Sequence, residues 1–157
     1  MIPKQVRSKG ATAPEQPASR MDVWRESSVN HLMLVGGHTC FRQALGVLLG
    51  RERGLGAVAQ AGTFSAARRM LGDRVDVAVV DTSLPDGQSV DLVRDIRRLN
   101  PSGAVLVLAR DPGQAIQAVE AGADEILDKN VTAARIVSSV KRLATRSRQR
   151  PRKETGR

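Results

Sequence analysis

VAVVDTSLPDGQSVDLVRDIRRLNP, residues 77–101, carries a complete structural unit in one line. Val77, Ala78, Val79 and Val80 make a continuous apolar run with no polar alternation, the mark of a strand buried on both faces. The run ends at Asp81, a carboxylate at the carboxyl end of the strand. LPDGQ (84–88) is a turn, since Pro, Asp and Gly each favour bent backbone. SVDLVRDIRRLN (89–100) follows as a helix, closed by Pro101 and Gly103. AVLVLA (104–109) is the next fully apolar strand. Two buried strands joined by a helix imply a parallel pair, because a parallel connection needs a crossover.

The same unit repeats outward in both directions. LMLV (32–35) is a buried strand, and Phe41, Ala44, Leu45, Leu48 and Leu49 then fall on one helical face. GAVAQAG (56–62) is a weaker strand and FSAARRML (64–71) a short helix. GQAIQAVEAGA (113–123) is a helix with Gly122 as its stop. DEILD (124–128) is a short fifth strand leading to Lys129. Asn130 is positioned to cap a last helix in which Ile136, Val137, Val140, Leu143 and Ala144 share a face, and Pro151 bars its extension. Strict alternation predicts a doubly wound, five-stranded parallel sheet of flavodoxin-like (βα)5 form, with helices on both faces. Function in such sheets gathers outside the carboxyl ends of the strands. Those ends carry Gly36-Gly37-His38, Asp81, Ala109-Arg110 and Lys129.

The totals fit one domain with two tails. Hydrophobic residues are 41% of the 157, enough for a core. The aromatics are Trp24, Phe41 and Phe64, so base-stacking platforms for nucleic acid are not expected. Cys40 is the sole cysteine, which excludes an intrachain disulfide and argues against a cysteine zinc site. It is expected as a small buried residue on the first helix. The net charge of +9 is uneven: residues 31–140 balance, whereas residues 141–157 hold eight Lys/Arg against Glu154. The organisation predicted is a disordered extension over residues 1–28, a domain over 29–145 and a basic disordered tail over 146–157. Met21 is an alternative start. No early segment resembles a signal peptide and no apolar run is long enough for a membrane helix, so a soluble cytoplasmic protein is expected.

VAVVDTSLPDGQSVDLVRDIRRLNP, AVLVLA and EAGADEILDKN (120–130), taken together, resemble a response-regulator receiver domain over about residues 31–143. The most specific parts are Asp81 with Leu84-Pro85 and Gly87, and Gly122-Ala123-Asp124 ahead of Lys129. The resemblance implies that Asp81 is the phosphoacceptor, receiving a phosphoryl group from a histidine kinase, and that Lys129 contacts that group. The chemistry suits the residue types: a carboxylate attacks a phosphoryl donor, and an ammonium neutralises the transferring oxygens. A structural ion pair between the two is the plain alternative.

Three positions depart from the family pattern. The acidic pair after the first strand falls on Gly36 and Gly37, the hydroxyl residue ending the fourth strand on Ala109, and the fifth-strand aromatic on Ile126. Magnesium prefers oxygen ligands with carboxylates among them. One carboxylate and one lysine are already neutral, so binding of Mg2+ is expected to be weak or absent and phosphoryl transfer slow. Ala109 and Ile126 remove both parts of the usual switch. Gly36-Gly37 would also bare backbone N–H groups at a helix N-terminus, making His38, Arg110 and Lys129 candidate anion contacts.

These readings give an atypical receiver-like signalling protein that is not an enzyme and works through a protein partner, a histidine kinase or a downstream protein. A homodimer through the last helix region is a further option. The basic tail offers weak, sequence-blind attraction to nucleic acid, lost by ~200 mM salt, or serves as a solubilising end. With about a dozen residues after the last helix, a second DNA-reading core is not expected. A cobalamin-type site would need Asp at Gly36 and Gly at Phe41, and a dehalogenase-type phosphatase would need Asp at Ser83.

Overall fold

The computed structural model describes residues 30–71 and 74–149. The expected extension over residues 1–28 lies outside the described residues, as does most of the expected tail. Five strands form one parallel sheet: β1 (Asn30–Val35), β2 (Leu55–Ala61), β3 (Val77–Asp81), β4 (Ala104–Ala109) and β5 (Glu125–Asp128), in the order β2-β1-β3-β4-β5. Between and after them run α1 (Thr39–Gly50), α2 (Phe64–Met70), α3 (Ser89–Leu99), α4 (Pro112–Ala121) and α5 (Ala133–Gln149). This is the predicted doubly wound flavodoxin-like fold.

The strands bury both faces, as their unbroken apolar runs require. Met33, Val35, Ala78, Val80, Val105 and Val107 point to one side and pack with Leu92, Val93, Ile96 and Ala118 from α3 and α4. Leu32, Leu34, Val77, Val79, Leu106 and Leu108 point to the other and pack with Leu45 and Leu49 of α1 and Ile136, Val140 and Leu143 of α5. The period-two alternation along each strand therefore splits the core into two layers.

Local chemistry closes the elements. Gly122 ends α4 at φ 109°, a left-handed conformation that suits glycine, and its N–H bonds back to the Ala118 and Val119 carbonyls. Asp124, two residues on, accepts from Val105 N at 2.8 Å and pairs with Arg97 at 3.1 Å, which locks β5 beside β4. Four local expectations are corrected. Thr132, not Asn130, caps α5: its Oγ1 accepts from Arg135 N at 3.2 Å, while Asn130 N bonds to the Asp128 carboxylate. α5 runs to Gln149, so residues 146–149 are helix rather than tail. On α1 the buried face is Leu45, Gly46 and Leu49, with Ala44 and Leu48 exposed, because Gly46 fits where a side chain would strike Gln60. Cys40 is exposed rather than buried, since the first turn of α1 rises past the sheet rim.

Candidate functional site

The strand order reverses between β1 and β3: from β1 the chain adds β2 on one side and β3, β4 and β5 on the other. The crevice at such a reversal is where open α/β sheets place their chemistry. Parallel register brings Asp81 opposite Leu108, and Ala109 opposite Asp128, so the ends of β3, β4 and β5 lie at one level. The backbone N–H of Lys129 donates to the Ala109 carbonyl at 2.9 Å, which holds the lysine beside the third strand's end.

Asp81 and Lys129, 48 positions apart in the chain, meet there. Lys129 Nζ lies 2.5 Å from Asp81 Oδ2, and the two side chains are only 11% and 4% exposed. Oδ2 receives no well-aligned hydrogen bond, so this contact is charge against charge. Oδ1 accepts from Ser83 N at 3.0 Å. The ammonium also touches His38 Nδ1 and lies 5.4 Å from the centre of the Phe41 ring. Lys129 is thus enclosed by a carboxylate, an imidazole and an aromatic face.

Gly36 and Gly37 occupy the β1–α1 turn, and the expected bare anion nest is not formed. Gly36 N donates to the Ala61 carbonyl at 3.0 Å and Gly37 N to the Ser83 carbonyl at 2.8 Å. Neither glycine has a positive φ, which a nest of alternating handedness would need. Both amides are spent on backbone, and the Gly36 carbonyl accepts from Arg42 Nη1 at 2.5 Å. What glycine provides is room. A Cβ at Gly37 would lie 2.7 Å from the Ser83 carbonyl oxygen, and one at Gly36 3.0 Å from Asp81 Cβ. Asp81 itself and the Ser83 carbonyl thus lie where side chains at Gly36 and Gly37 would enter.

That geometry does not fit a magnesium ion. One of the two Asp81 oxygens faces Lys129, the other takes the Ser83 amide, and the Ser83 carbonyl already accepts from Gly37. Among the described residues no three His, Cys, Asp or Glu side chains come together in a metal-holding group.

Arg110 is exposed and joins His38, Cys40, Phe41, Lys129 and Asn130 around an open cleft of about 780 Å³. The cleft opens onto Lys129, and Asp81 lies beneath it. Ala109 and Ile126 line a smaller groove of about 200 Å³ under the first turn of α4. The loop after Asp81 is fastened further by Asp86, whose carboxylate accepts from Phe64 N at 2.6 Å, Ser65 N at 3.1 Å and Ser65 Oγ at 2.8 Å. These bonds, that from Phe64 N foremost, hold the Asp86 carboxyl below its ordinary pKa.

The response regulator receiver domain family matches residues 32–141. The chain belongs to that family. It is 33% identical over 113 residues to the DNA-binding transcriptional activator DevR/DosR of Mycobacterium tuberculosis, covering 70% of this chain and 52% of that protein. A CheY-like receiver domain from Methanospirillum hungatei superposes with a TM-score of 0.72 at 18% identity, covering 78% of this chain and 98% of that one. A LuxR-family two-component response regulator from Aurantimonas sp. superposes with a TM-score of 0.66 at 26% identity, covering 75% and 86%. The chain spans about half of the length of DevR/DosR. As a receiver, it is a module of two-component signalling. No helix among the described residues is long and apolar enough to cross a membrane.

The receiver positions read from sequence, Asp81, Lys129, Gly36, Gly37, Ala109 and Ile126, all lie at or beside this rim. His38 is there too, in contact with Lys129. Phe41, Thr82 and Gln114 were not singled out by sequence as parts of the site's own bonding. Phe41 follows the apolar period of α1, and its role at the rim leaves no periodic signal.

Proposed function

We propose that this chain is an atypical cytoplasmic receiver in which magnesium-dependent phosphorylation of Asp81 is impaired and signalling runs through binding to a protein partner. The observation that carries this reading is the engagement of both Asp81 oxygens within the chain, with no second carboxylate at Gly36 or Gly37. Magnesium ordinarily bridges and neutralises the oxygens of a transferring phosphoryl group. Here a bound phosphoryl group would have to displace Lys129 from the carboxylate it balances. Ala109 offers it no hydroxyl, and Ile126 no ring.

The protein-interaction part rests on exposed apolar side chains. Ile116 and Val119 of α4 are 60% and 61% exposed, on a domain whose other large apolar residues are mostly buried. The partner class is a histidine kinase or a downstream signalling protein, with a homodimer through α5 as a further form. Mg2+ binding is weak or absent, and the chain itself is not an enzyme.

One observation favours a second reading. Asp81 and Lys129 are in contact at the carboxyl ends of their strands, so a functional phosphoacceptor using Asp81 and Lys129 is the alternative. Incubation with acetyl phosphate and magnesium, followed by intact-mass measurement, separates the two. The proposal expects no mass gain of one phosphoryl group. A gain that disappears in Asp81→Asn supports the alternative and overturns the proposal.

A further inference from the structure

Three features converge on the first turn of α4. The helix carries only alanines into the core: Ala118 and Ala121 are buried and Ala115 partly so, while Ile116 and Val119 face outward. For comparison, α3 buries Leu92, Val93 and Ile96. The groove of about 200 Å³ under its N-terminal half is lined by Ala109, Asp111, Ala115, Ile126 and Asp128 among others, so the small Ala115 side chain is what that half packs against the core. What does reach the turn is polar. Gln114 Oε1 accepts from the Thr82 hydroxyl at 2.9 Å and from Arg110 N at 2.9 Å. Thr82 directly follows Asp81, and its own N–H bonds to the Leu108 carbonyl at 3.2 Å.

We propose that Thr82 and Gln114 form a latch that ties the position of α4 to the loop carrying Asp81. The Thr82 hydroxyl, one residue after Asp81, grips the helix directly. One amide oxygen holds both the β3–α3 loop and the end of β4, so the latch closes only when loop, strand end and helix share one arrangement. A displacement of the loop releases α4, and a partner that moves α4 through Ile116 and Val119 must break the same bond. The coupling is reciprocal by linkage. It does not require a phosphoryl group on Asp81, so it stands or falls separately from the phosphorylation proposal above.

Amide hydrogen exchange on the full chain tests this, with α5 as the internal reference. Thr82→Val keeps the branched shape and removes the hydroxyl. It should speed exchange of residues 116–121 by roughly 3–10-fold, the scale of one hydrogen bond, beyond any change in α5. Thr82→Ser, which restores a hydroxyl, should return most of that protection. Gln114→Met should loosen α4 from the other side and also shift the Thr82 and Ser83 amide resonances. The latch is refuted if Thr82→Val leaves α4 protection unchanged, if α4 and α5 lose protection equally, or if Thr82→Ser behaves like Thr82→Val.

Discussion

Lys129→Met is the most informative single substitution, because it removes a charge and keeps an unbranched side chain. Asp81 is 4% exposed and would remain in place with its counter-charge gone. At the 2.5 Å separation, the gross attraction with an effective dielectric near 20 is about 7 kcal/mol. Most of that is offset by the cost of taking both groups out of water. Removing one partner of a buried pair typically destabilises by about 3–5 kcal/mol. Lys129 keeps 11% exposure, so water can reach the vacated position, and the low end applies. We therefore expect a loss of about 3 kcal/mol, or about 10 °C in Tm for a domain of this size. The assay is urea denaturation of the parent, of Lys129→Met, and of Asp81→Asn/Lys129→Met. The double variant leaves no buried charge and should be more stable than Lys129→Met alone. If Lys129→Met stays within about 0.5 kcal/mol of the parent, the pair behaves as a surface contact and the reasoning fails. It fails equally if the double variant recovers nothing.

Gly37→Ala should cost about 1–3 kcal/mol, because its Cβ would press on the Ser83 carbonyl oxygen at 2.7 Å and force the loop outward. Gly50→Ala, where nothing lies within 4 Å of the new atom, should be neutral or stabilising by about 0.5–1 kcal/mol; thermal melts of the two variants check the contrast. Asp86 should titrate below the ordinary Asp value in an NMR pH series, with the Phe64 and Ser65 amide resonances moving with it. A lowered native pKa means that the contribution of Asp86 to stability is present above the unfolded-state pKa and is lost as pH falls through the folded value. Asp86→Ala should abolish that acid-dependent movement.

Much of the fold was legible because buried parallel strands announce themselves. LMLV, VAVV and AVLVLA are unbroken apolar runs, and each sits in the sheet where the alternation placed it. Gly122 was legible for the same kind of reason, as a helix stop that needs a positive φ. Two misread details lie where residue type misleads about burial. Gly46 faces the sheet because it lacks a side chain, which a hydrophobic pattern scores as nothing, and Cys40 turned outward at the helix's first turn. Asp81 and Lys129 could be found because strand ends converge by topology alone. The Gly36-Gly37 turn could not be resolved, because whether its amides are bare depends on the Ala61 and Ser83 carbonyls that meet it in space. The Thr82–Gln114 bond spans 32 positions with no motif linking its ends.

If Lys129 already supplies the positive charge Asp81 needs, a divalent ion has nothing left to neutralise there. Titration of the labelled chain with magnesium at constant ionic strength, followed by NMR at Gly36, Gly37, Asp81, Ser83 and Lys129, tests it most directly. No saturable movement of these resonances is expected through the millimolar range. A saturating response centred on Asp81, with Lys129 Nζ released from the carboxylate, would contradict it.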